Sequence, residues 1–133
     1  MSFQLHQSLA DDSAFVADWP LSRVVLMNDA RFVWLLLVPR RENVGELFDL
    51  SEEDRQTLTR ECCRAGENLK KLTGCDKINI CIIGNQVPQL HVHVIARRED
   101  DEVWPSPVWS RGYAVPYEPA AMTALIDRLV KGL

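Results

Sequence analysis

Two runs rich in Val, Leu and aromatic residues, 21–27 and 32–38, flank the polar segment Asn28-Asp29-Ala30-Arg31. Apolar β-formers on either side of turn residues predict a β-hairpin, and Pro39, which has no N–H to donate, closes its second strand. The period then changes. Ser51 precedes Glu52-Glu53-Asp54, and apolar or small residues recur at Leu58, Cys62, Ala65, Leu69 and Leu72. Steps of four and three make a helical stripe, with Ser51 as N-cap, acidic residues at the positive end of the dipole and Gly74 as the stop. Residues 77–83 and 90–96 read as two further strands joined by Gly84-Asn85-Gln86-Val87-Pro88. Pro105 and Pro107 keep segment 104–109 out of helix and central strand alike. A last helix starts near Pro119, with Met122, Leu125, Ile126, Leu129 and Val130 on its inner face. Strands, a long helix, strands and a terminal helix predict an α+β domain with an antiparallel sheet covered by helices.

Composition narrows the class without changing this picture. The 133 residues are 47% hydrophobic and 26% charged, with no repeat or linker, which predicts one domain over 1–133. A net charge of −4 provides no basic face for duplex nucleic acid, although a small anion needs only a local cluster of donors. Cys62, Cys63, Cys75 and Cys81 contain no C-x-x-C pair, so reduced, mostly buried thiols in a cytoplasmic protein are expected. The first fifteen residues lack a basic start followed by an apolar core, so no signal peptide is expected. The longest apolar run, 32–39, is far too short to span a bilayer.

Candidate chemistry concentrates in Gln89-Leu90-His91-Val92-His93-Val94-Ile95. Side chains alternate along a strand, so Leu90, Val92 and Val94 point one way while Gln89, His91 and His93 point the other. Three readings of the H-x-H pair stand: exposed strand residues, a metal site, or nucleophilic catalysis. A metal needs one or two further ligands, and His6, the only other histidine, reads as a surface or strand-edge residue. No metal or other cofactor is expected to be required.

The stretch resembles the signature of the histidine-triad family, in which His alternates three times with apolar residues and an apolar pair follows. The order of elements from about residue 15 to about residue 110 is similar to that family as well, including the Val-Leu-Met-Asn-Asp hairpin, Val38-Pro39-Arg40, the acidic-capped helix and the Gly84-Asn85 turn. Gln89 stands at the first triad position, as in a bacterial-type member with a departure there, and His91 and His93 match the second and third. The resemblance implies a nucleotide-binding hydrolase or nucleotidyl transferase acting at an α-phosphate of a dinucleoside polyphosphate or nucleoside phosphoramidate. His91 would be the nucleophile, its other ring nitrogen held by a backbone carbonyl, and His93 would donate to a phosphate oxygen. Asn85 would donate to the phosphate or leaving group, Asn28 or Asp29 would meet the ribose, and Leu26 and Phe32 are candidates for the base pocket. Each has a plain structural counterpart: Asn28, Asp29 and Asn85 are turn formers, and Arg97-Arg98 reads as a solvated strand end. The resemblance also implies a homodimer, with the Trp104–Trp109 segment rimming the pocket. Glutamine bonds but does not titrate, so a nucleotide-binding module with little turnover is the alternative function.

Overall fold

A computed structural model describes residues 3–132. The chain runs α1 (Gln7–Asp11), β1 (Ser13–Asp18), β2 (Ser22–Met27), β3 (Val33–Pro39), α2 (Glu52–Thr73), β4 (Lys77–Ile82), β5 (Val92–Arg97) and α3 (Pro119–Gly132). The strands form one antiparallel sheet in the order β1-β2-β3-β5-β4. The hairpin, the α+β class and both helices match the reading of the sequence.

The long helix forms where its signals stand. Ser51 Oγ accepts the N–H of Asp54, Glu52, Glu53 and Asp54 occupy the first turn, and Gly74 ends the helix at φ 64°, a conformation that favours glycine. Leu58, Cys62, Ala65 and Leu69 are buried. They pack on one sheet face against Val24, Leu26, Leu35, Leu37, Val92 and Val94. Gly66 permits the close approach, because a Cβ there would meet Cγ2 of Ile78 at 3.3 Å. Glu61, only 4% exposed, ties the helix to the start of β2 by accepting the N–H groups of Leu21 and Ser22, each at 3.0 Å. Hydrogen bonds to a charged acceptor of this kind contribute about 1.5–3 kcal/mol.

The opposite sheet face carries Val25, Trp34, Leu36, Val38 and Ile95, and is covered by Leu9 of α1 with Val103 and Val108 of the loop after β5. Alternation puts His91 and His93 on this second face, away from α2. His93 lies in register between Leu36 of β3 and Cys81 of β4. All six residues of β5 are buried. His93 is therefore carried by an interior strand paired on both edges, and His91 stands one residue before that strand.

Several expectations are corrected. Helix α1 and strand β1 have no counterpart in the sequence reading, and His6 is the N-cap of α1, its Nδ1 accepting from the Ser8 N–H, not a strand-edge residue. Val130 is 48% exposed, so only Leu129 of the expected inner face of α3 is fully buried. Cys62 and Cys75 are buried, Cys81 is partly buried and Cys63 is exposed; all four are free thiols. Arg97 is no solvated strand end. At 1% exposure it pairs with Asp101 at 2.8 Å, donates to Asn79 and the Ser106 carbonyl, and so pins the loop between β5 and the C-terminal segment. Arg98 is exposed as expected. Leu26, fully buried against α2, cannot line a pocket on the histidine face, and Phe32 is 4% exposed within the second core cluster.

Candidate active site

His91 immediately precedes β5 and His93 is its second residue. Each is 6% exposed, and their ring centroids are 5.0 Å apart at 70°. Together with Trp109 and the loop 83–87 they line a cavity of about 400 Å³. No lysine or arginine lines it, so an anion held there meets neutral donors.

The two rings are held by partners of opposite kind. Nδ1 of His91 lies 2.7 Å from the Gln89 carbonyl oxygen. A carbonyl only accepts, so the proton sits on Nδ1 and the lone pair on Nε2. Nδ1 of His93 accepts instead from the indole N–H of Trp34 at 3.0 Å. Trp34 and Trp109 enclose the His93 ring at centroid distances of 5.6 and 4.8 Å. Burial, with a smaller contribution from the neighbouring His91, pushes the His93 pKa down to about 3, so the ring is neutral at physiological pH.

Gln89 is placed differently from its two neighbours. Its Oε1 accepts the His6 N–H at 2.8 Å and its Nε2 donates to the Gln4 carbonyl at 2.9 Å. It lines a larger, shallower cleft of about 980 Å³, between residues 3–4 and the loop 41–45, that contains no histidine. Its side chain is thus spent on the N-terminal segment, while its main-chain carbonyl serves His91.

Asn85 lies in the cavity wall beside Gln86, and neither side chain makes a hydrogen bond among the described residues. Asn28 and Asp29 do not line the cavity. Asn28 Oδ1 accepts the Tyr117 N–H at 2.8 Å, and its amide nitrogen makes no hydrogen bond among the described residues. Asp29, 2% exposed, is filled by the Arg31 guanidinium and by the N–H groups of Arg31 and Val115. Its carboxyl is held below the usual range because these donors outweigh the upward push of burial. Among the described residues no group of three or more His, Cys, Asp or Glu could hold a metal ion. No described helix is long and apolar enough to cross a membrane.

Two aromatic residues complete the site. Trp109 belongs to the segment expected to form a rim. Trp34 was not singled out, although a tryptophan in the aliphatic run of β3 was a usable signal, since a buried indole N–H needs an acceptor.

The HIT domain profile matches residues 9–100. A histidine triad protein from Bradyrhizobium japonicum is 42% identical, with 99% of this chain and 98% of that one covered and a TM-score of 0.96. One from Sinorhizobium meliloti is 44% identical over 98% and 97% of the two chains, again with a TM-score of 0.96. A third, from Marinobacter aquaeolei, is 38% identical over 100% and 97%, with a TM-score of 0.96. No curated protein sequence matches the chain.

Proposed function

The chain belongs to the HIT domain family, and from that premise we propose that it binds a nucleotide and cleaves or transfers at the α-phosphate through a nucleotidyl intermediate on His91. The observation that carries this reading is the His91 tautomer: the Gln89 carbonyl holds the proton on Nδ1 and leaves the Nε2 lone pair for the cavity. Nε2 attacks phosphorus in line as the bond to the leaving group breaks; the bond electrons depart with that group, which takes its proton from solvent. The imidazolium so formed keeps its Nδ1–H on the carbonyl. Water then attacks the same phosphorus as the Nε2–P bond breaks, its electrons returning to Nε2 and one water proton passing to solvent, which gives a nucleoside monophosphate and restores neutral His91. Another acceptor in place of water makes the reaction a transfer.

Stabilisation of the equatorial oxygens falls to neutral donors, the Nε2–H of His93 and the Asn85 amide. Gln89 acts as a positioning residue through its carbonyl. Asn28 stands outside this cavity and would meet the ribose only where the nucleoside extends beyond it, through an amide nitrogen that makes no hydrogen bond among the described residues, and Asp29 shapes the turn. No cofactor is needed, because nucleophile and donors are all side chains. The same reading includes a homodimer. β4 is an edge strand, and Ile80 and Ile82 on it are 50% and 42% exposed, an apolar edge that suits a second copy.

The test is AMP release from diadenosine tetraphosphate and an adenosine phosphoramidate by chelator-treated protein, beside His91→Ala. Turnover that disappears in the variant is expected. If neither substrate yields AMP while AMP still binds, the protein is a nucleotide-binding module.

A further inference from the structure

We propose that Trp34 is a positioning residue that locks His93 as a permanent Nε2–H donor and removes it from proton transfer. The inference deepens the proposed reaction and rests on that reading for its catalytic meaning, but the lock itself is a property of the folded chain. An indole N–H only donates, and it does not titrate. A hydrogen bond of 3.0 Å from it to Nδ1 of His93 therefore requires a bare Nδ1. A neutral ring with a bare Nδ1 carries its proton on Nε2. Both the imidazolium and the opposite tautomer would press two hydrogens together in this buried contact. His91, two residues away, meets the reverse condition, since a carbonyl forces its proton onto Nδ1. An acceptor-only partner and a donor-only partner thus give neighbouring histidines opposite tautomers, one a nucleophile and one a donor.

The lock is rigid. Trp34 is 5% exposed, lies opposite Ile95 in the β3–β5 ladder, and meets Phe32 and Trp109 edge-on at 6.4 and 5.7 Å. The ionisable neighbours of His93 are His91 on its own strand and Cys81 in register on β4. Burial pushes the Cys81 thiol up, keeping it neutral, and no charged side chain lines the cavity. Among the described residues lining the cavity, none offers a charge that would favour an imidazolium.

The experiment is nitrogen-15 NMR of histidine side chains in the intact protein between about pH 5 and 8, for the parent, Trp34→Phe and Phe32→Leu. In the parent, His93 is expected as the Nε2–H tautomer throughout, with an internucleus coupling from the Trp34 indole nitrogen to Nδ1. Trp34→Phe removes the donor, so the opposite tautomer and the imidazolium appear and kcat falls about tenfold to a hundredfold, with KM changing far less. Phe32→Leu loosens packing but keeps the donor, so the tautomer is unchanged. A parent His93 protonated on Nδ1, or a tautomer unmoved in Trp34→Phe, overturns the proposal. The parent spectrum decides even if Trp34→Phe does not fold. Absence of turnover with the expected spectra would count against the nucleotidyl reaction and leave the lock standing.

Discussion

His91 and His93 are chemically identical side chains two positions apart on the same sheet face, and their surroundings make them different reagents. Burial keeps His93 neutral down to about pH 3, whereas the unfolded chain takes up its proton near 6.5. Between those values the unfolded state binds more protons, so stability contributed by His93 is lost as pH falls through that window, by about 1.4 kcal/mol per pH unit for one proton. His93→Gln is expected to flatten the pH dependence of urea unfolding between about pH 6 and 4.5, above the range where carboxylates dominate. An unchanged slope would show that His93 is not a buried neutral ring. At this scale the histidine pair was legible because strand alternation puts both rings on one face, and the resemblance to the histidine-triad signature decided among the readings that an H-x-H pair leaves open. Gln89 was not, because its side chain is claimed by Gln4 and His6, more than eighty residues away in sequence. The His93 tautomer was equally hidden, since it depends on Trp34 from another strand, whereas the carbonyl partner of His91 was already implied by the family resemblance.

Among the elements, the loop after β5 turns an arginine in the core into cavity shape. Arg97 binds Asp101 and the Ser106 carbonyl, and that loop carries Val108 into the second core cluster and Trp109 to the cavity. Arg97→Met leaves Asp101 without its charged partner, and removing one member of a buried pair costs about 3–5 kcal/mol. The expected result is a lower urea midpoint together with weaker nucleotide binding, because Trp109 loses its support. Retention of both would assign the loop's position to packing alone. The sequence announced α2 through several mutually consistent signals, cap, acidic first turn, stripe and glycine stop. β1 sent none of comparable strength: it is an edge strand with a register shift between Phe15 and Ala17, and its Phe15 is 57% exposed. Arg97 was misread for a related reason. Its partner Asp101 belongs to an acidic run that looks solvated until the chain turns back on itself.

For the whole molecule, the fold class followed from the order of periodicities, while the sheet order followed only from tertiary pairing. β5 enters between β3 and β4, and that insertion gives His93 a paired neighbour on each side. It also leaves β4 as an edge, where Ile80 and Ile82 face solvent in one copy. Sedimentation is expected to give twice the 15.2 kDa chain mass, and Ile80→Lys to return it to one chain. A monomeric parent would remove the dimer and leave the chemistry of His91 untouched.

That chemistry is the centre of the account, and its intermediate has a mass. Acid-labile nucleotidyl-histidine survives a rapid alkaline quench, so the phosphoramidate reaction should be stopped within its first turnover and the protein digested and weighed. The expected result is a single AMP adduct on the peptide containing His91, absent from His91→Ala. AMP release with no adduct on that peptide would contradict the account, because water would then be attacking phosphorus directly.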